Sequence, residues 1–324
     1  MKQKSEVLEA ISTWQAKGYK VIAPVKRDEL VVFEVIRDPS EISFDHVITT
    51  NTLKDFMLPR CETILRFDLE KVETEPIFDE SERIVIFASR PCDAAGLAIL
   101  DGILIGEVVD SRYAKRRKQA VLVTVACSKS DDACFCTSMG YGPHDPTGSD
   151  VILLPSQGGY LVRIVSERGR EFASDVGLES DEGEPDPEPE VRRKVRTDGI
   201  KQWLDANFES PKWEQVSENC VSCGTCSYLC PTCHCFDISD EAGIARGVRM
   251  RVWDCCSFAG FTKMASHQPR VGKYARYRQR VMHKFKYTVD NIGKVACVGD
   301  GRCIRLCPYG VDITEVLETL LAEG

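Results

Sequence analysis

The chain has 324 residues, a formal net charge of −8, and 16 cysteines. That length allows two domains with separate cores, and the acidic balance speaks against binding a phosphate backbone through overall charge. No apolar run approaches the roughly 18 residues of a membrane span, and so many clustered thiols in a long chain read as metal ligands in a reducing compartment rather than as disulfides.

The first 20 residues, "MKQKSEVLEAISTWQAKGYK", predict an amphipathic helix with charges throughout, unlike a secretory signal. Apolar, β-branched runs of strand length then recur: "YKVIAPV", "LVVFEVI", "RIVIFAS", "AVLVTVAC", "VILLPS" and "YLVRIV". A helical pattern, "DAAGLAILDGIL" (93–104), falls between two of them. Residues 1–176 therefore read as a mixed α/β sheet domain. The stretch 177–198, containing "GLESDEGEPDPEPE", is acidic and proline-rich and reads as a linker or exposed loop. From 199 to 324 the chain reads as helical and cysteine-rich, closing on the amphipathic "VDITEVLETLLAEG". The expected fold class is α+β, the sheet domain being followed by an α-helical ferredoxin-like domain.

Two cysteine arms bracket that second region. "CVSCGTCSYLCP" supplies Cys220, Cys223, Cys226 and Cys230; "CVGDGRCIRLCP" supplies Cys297, Cys303 and Cys307, with Asp300 where a ferredoxin arm has cysteine. Residues three apart wrap a short loop around a cubane, and in dicluster ferredoxins the last cysteine of each arm reaches the other cluster. This pattern predicts one 4Fe–4S cluster on Cys220, Cys223, Cys226 and Cys307. It predicts a second on Cys297, Cys303 and Cys230, with Asp300 at the fourth corner as an oxygen ligand or, if it does not ligate, a 3Fe–4S cluster. Paired zinc knuckles are the bland alternative, but zinc sites do not usually close a CxxCxxC arm on a distant CP. The wide interval between the arms resembles the α-helical ferredoxin domains of succinate dehydrogenase iron–sulfur subunits rather than small β-rich ferredoxins.

Other cysteines fall outside the arms. Cys92, in "SRPCDAAG", and Cys127, Cys134 and Cys136, in "ACSKSDDACFC", follow predicted strands and could hold a third 4Fe–4S cluster or simply be buried thiols. Cys233, Cys235, Cys255 and Cys256 could ligate a metal, work as redox thiols, or pack as small apolar groups. Cys61 has no companion nearby and reads as structural. The basic "RVGKYARYRQRVMHKFKY" (270–287) suits a helix packed on clusters or a docking face better than a nucleic-acid site. His234 is a candidate for tuning a cluster through a hydrogen bond.

Taken in order, "RPCDAAGLAILD", "CFCTSMGYGP", "CVSCGTCSYLCPTCHCFDI", "RVWDCCSFAGFT" and "CVGDGRCIRLCPYGVDI" resemble one known family. It contains the β subunit of cytosolic nickel–iron sulfhydrogenases and the corresponding iron–sulfur subunit of anaerobic sulfite reductase. The resemblance implies a cytoplasmic electron-transfer subunit of an anaerobic multisubunit oxidoreductase. Its partners would be a catalytic hydrogenase- or sulfite-reductase-like subunit plus a flavin- and NAD(P)-binding reductase subunit. No catalytic residue of its own is implied. No GxGxxG fingerprint follows a strand, which agrees with nucleotide binding on a partner. A reading from another class is a cluster-assisted thiol/disulfide reductase acting at Cys233, Cys235, Cys255 and Cys256.

Overall fold

The computed structural model describes residues 1–76 and 82–322. The chain divides into two compact units, neither of them continuous in sequence. One contains Met1–Leu53, Glu82–Arg196 and Cys297–Arg302; the other contains Lys54–Ser81, Thr197–Ala296 and Cys303–Gly324.

The first unit is built on a six-stranded mixed sheet. Its strands are β1 (Tyr19–Arg27), β2 (Leu30–Val35), β5 (Arg83–Ser89), β6 (Ala120–Val125), β7 (Val151–Ser156) and β8 (Gly159–Ile164), in the order β2-β1-β5-β6-β7-β8. Each of the six β-branched runs in the sequence becomes one of these strands. β1, β5, β6 and β7 run parallel, and the outer hairpin partners β2 and β8 are antiparallel. Every residue of β6 is buried, as expected of a parallel strand covered on both faces. The helix Lys4–Ala16 lays Val7, Ile11 and Trp14 on the sheet, and Trp14 meets Phe87 and Phe172 edge-on at 5.9 and 5.2 Å.

The acidic stretch is exposed, as its composition requires, but it does not hang free. Asp181 exchanges hydrogen bonds with Val162 of β8 (2.9 and 3.0 Å), and Asp186 N donates to Pro155 O at 2.8 Å. Val191 and Val195 further along are buried. It is therefore an ordered strap on the first unit, where a linker was one expectation.

The second unit combines helices with a four-stranded antiparallel sheet, which corrects the expectation of an all-helical region. Its strands are β3 (Cys61–Asp68), β4 (Glu73–Pro76), β9 (Phe236–Ala242) and β10 (Arg246–Trp253), ordered β4-β3-β10-β9. The arginines of "RGVRMRVW" obscured the strand in the sequence. Arg251 is buried there because Glu62, its register partner on β3, meets it at 2.6 Å. The helices Ile200–Ala206, Lys212–Val216, Lys273–Met282 and Ile313–Leu321 pack around Leu204, Trp213, Phe285, Leu317 and Leu320. Lys273–Met282 continues through a π-helical turn, His283–Tyr287, an irregularity often found at functional sites.

Candidate metal centres

In the second unit, arm one is shaped by two left-handed residues, Ser222 (φ +57°) and Gly224 (φ +79°). They fold the loop so that Cys220, Cys223 and Cys226 face one pocket, with Cys226 carried on the short helix Thr225–Tyr228. Cys303 and Cys307 line the same pocket. Backbone N–H groups already point at sulfur: Ser222 N donates to Cys220 Sγ at 3.4 Å and Val311 N to Cys307 Sγ at 3.2 Å. Burial raises the Cys220 thiol above its usual range, and nearby Cys226 and Cys223 add to the effect.

Tyr277 and Arg280, on Lys273–Met282, complete the lining. Both are buried, and Tyr277 Oη and Arg280 Nε and Nη2 have no hydrogen-bond partner among the described residues. A buried guanidinium costs several kcal/mol unless an anion meets it. A thiolate-ligated iron–sulfur cluster is such an anion, so the donor set and the unanswered guanidinium both fit one. Among the described residues, no three Cys, His, Asp or Glu side chains are arranged to hold a single metal ion. The thiols surround a pocket instead.

Cys230 leaves the arm in another direction. Lys284, in the π turn, donates to Cys230 Sγ at 2.9 Å and to Ala296 O at 2.9 Å. A hydrogen bond from Cys233, together with the Lys284 charge, holds the Cys230 thiol well below its usual range. Lys54 is also buried, donating to Ser227 O and Tyr228 O at 3.2 and 3.1 Å, and its ammonium sits 4.0 Å above the Trp253 ring. His234 bonds Thr232 O at 3.1 Å and stacks on His283. Cys61 is exposed at the start of β3, 3.9 Å from Met250 Sδ.

In the first unit, a second group of thiols forms where two parallel strands end. Cys92 lies three residues past β5 and Cys127 two past β6, at the carboxyl edge where open α/β sheets commonly place their sites. Arg90 fixes this edge by donating to Val125 O, Ala126 O, Phe44 O and His46 O. The loop after Cys127 returns Cys134 and Cys136 to the same place, and each of the four thiols feels at least one of the others electrostatically. Burial is the main cause of the shifts of three of them: Cys92 is pushed well up, Cys127 to about 11 and Cys136 to about 12. Thiols that stay protonated alone would lose their protons on binding a metal.

The segment 297–302 lies against this group. Phe135 N donates to Gly299 O at 2.9 Å, and a Cβ on Gly299 would fall 2.5 Å from Cys136 N. Only glycine allows that approach, and its φ of +67° is left-handed as well. The second arm is thus divided, with Cys297 and Asp300 in the first unit and Cys303 and Cys307 in the second.

Asp300 is paired with a guanidinium. Its Oδ2 accepts from Arg302 Nη1 at 2.7 Å, and Arg302 Nη2 meets Asp93 Oδ1 at 2.7 Å. Arg302, fully buried, also donates to Thr49 O and Oγ1 at 2.8 and 2.9 Å. One of its two carboxylate oxygens, Oδ2, is thus engaged by a guanidinium. Cys303, expected with Cys297 and Cys230, lines the arm-one pocket.

Residues 219–311 match a 4Fe–4S dicluster domain, which makes the protein an iron–sulfur electron-transfer protein. The match holds both arms and every cysteine between them. Over 312 residues the chain is 30% identical to sulfhydrogenase 2 subunit beta of Pyrococcus furiosus, covering 92% of this chain and 91% of that one. The chain belongs to the family of sulfhydrogenase β subunits. No solved structure matches it.

Proposed function

We propose that this chain is the relay subunit of a cytoplasmic, anaerobic oxidoreductase complex. It passes single electrons between a flavin- and NAD(P)-binding partner and a catalytic partner of hydrogenase or sulfite-reductase type. The observation that carries this reading is Arg280, buried and without a hydrogen-bond partner for Nε or Nη2 among the described residues, facing five cysteines in one pocket. A 4Fe–4S cluster held there would supply a one-electron couple. The chain's own part is to hold that centre with Cys220, Cys223, Cys226 and Cys307, to donate N–H groups to sulfur, to exclude water with Tyr277, and to balance charge with Arg280. The dicluster match supports a reading with two clusters, and Cys92, Cys127, Cys134 and Cys136 have the donor chemistry for a third. Among the described residues no helix is long and apolar enough to cross a membrane.

Anaerobic purification with iron, zinc and acid-labile sulfide analysis tests this directly. About eight irons per chain are expected for two clusters and about twelve for three. Zinc without sulfide would sink the proposal. So would NADH-driven dye reduction by the isolated chain, which would place the flavin chemistry here rather than on a partner.

A further inference from the structure

Cys235, Cys255 and Cys256 belong to neither arm. Cys235 precedes β9, and Cys255 and Cys256 follow β10. These strands pair antiparallel with Phe236 opposite Trp253, and Asp254 N donates to Cys235 O at 3.1 Å. The register therefore carries Cys235 alongside the Cys255–Cys256 pair, although twenty residues separate them in sequence. The Cys235 thiol feels Cys256 most strongly and the Cys256 thiol feels both Cys235 and Cys255, which sets the three thiols side by side.

The two ends of the row differ. Cys255 is fully buried and rests on arm one, where a Cβ on Gly224 would lie 3.4 Å from its Sγ. Cys235 is only partly buried and is followed by the exposed Phe236. The row thus leads from the cluster-binding loop toward solvent. Interaction with the neighbouring Cys256 draws the Cys235 thiol below its usual range, which favours the reactive thiolate at the accessible end.

We propose that Cys235 and Cys256 are a redox-active thiol pair, which closes to a disulfide and reopens beside the iron–sulfur centre of arm one. Closure breaks two S–H bonds and forms one S–S bond. Its two protons leave to water and its two electrons leave one at a time through the oxidised centre, which the next carrier of the relay reoxidises after each. Reopening reverses each step, the reduced centre giving one electron, being reduced again by the relay, and giving the second. The pair would join a two-electron couple to a one-electron relay. Thiols brought side by side by the register of the adjoining strands need little movement to bond, whereas closing Cys255 onto its neighbour Cys256 would be strained. The proposal rests on the relay reading only for its electron partner; the thiol pair stands on the fold alone.

The test uses the full chain, anaerobic and loaded with clusters, oxidised with diamide, alkylated and mapped by mass spectrometry. A Cys235–Cys256 cross-link is expected at unchanged iron content. Cys235→Ser and Cys256→Ser should each abolish it while keeping wild-type iron, and Cys61→Ser should leave it in place. Reduced methyl viologen, a one-electron donor, should reopen the disulfide in the wild type and fail in Cys220→Ser. Full alkylation of Cys235 and Cys256 after oxidation overturns the proposal, as does iron loss in either serine variant, which would make that residue a ligand. Equal reopening in Cys220→Ser removes the arm-one centre from the path. A chain that forms the cross-link but never binds iron would refute the relay reading and leave the thiol pair standing.

Discussion

Replacing Asp300 with asparagine separates two roles for the one residue that breaks the ferredoxin pattern. Asp300 and Asp93 share a single guanidinium, each at 2.7 Å, with Arg302 wholly buried and Asp300 nearly so. The asparagine would keep the shape and remove one of two negative charges, leaving Arg302 balanced by Asp93 alone. The loss is then that of one charge-assisted hydrogen bond, about 1.5–3 kcal/mol. It should fall below the roughly 3–5 kcal/mol expected of Arg302→Met, which strands two buried carboxylates. In the Arg302→Met background the sign should reverse, because Asp300→Asn then relieves an unpaired charge; the double-mutant cycle reads that coupling. The assays are anaerobic thermal scans at one fixed rate, iron content, and electron paramagnetic resonance of oxidised protein. The expected outcome is a destabilised protein with unchanged iron. A protein of unchanged stability that loses iron and shows a 3Fe–4S signal would refute the counter-ion role and restore Asp300 as a ligand.

Arg280→Met should lower the reduction potential of the arm-one cluster, because reduction adds negative charge and the variant lacks the buried cation that favours it. Unit charges about 6 Å apart at an effective dielectric near 20 interact by about 3 kcal/mol, or on the order of 100 mV for one electron. A redox titration followed by electron paramagnetic resonance measures this, and an unshifted midpoint would remove Arg280 from the cluster's surroundings. The His46 ring is buried with both nitrogens unpartnered among the described residues, and burial, reinforced by the charge of Arg90, holds it at about 3 instead of 6.5. Between those values the unfolded chain binds a proton that the native state does not. Stability should therefore fall on acidification below about pH 6.5, by up to about 1.4 kcal/mol per pH unit from this group. His46→Phe should flatten the pH dependence of the denaturant midpoint between pH 7 and 5; an unchanged slope would assign the loss to other groups.

Local pattern was enough for much of this protein. Six β-branched runs became the six strands of one sheet because burial on both faces leaves a plain mark in sequence. The arm "CVSCGTCSYLCP" was legible because its spacing is set by the size of what it wraps. β10 was not legible: Arg251 sits inside only because Glu62, almost 190 residues earlier, pairs with it. The ion pair of Asp300 was hidden for a similar reason. Nothing near it in the chain names its partner, and Arg302 is fixed from Thr49 and Asp93.

The sequence by itself determined the cofactor chemistry, since thiols three residues apart before a CP are a property of short loops. Tertiary structure alone decided how those thiols are grouped. It divided the second arm between two units, brought Arg280 to one pocket, and aligned Cys235 with Cys255 and Cys256. Charge pairing and strand register act between residues far apart along the chain, and so they leave no local signature to read.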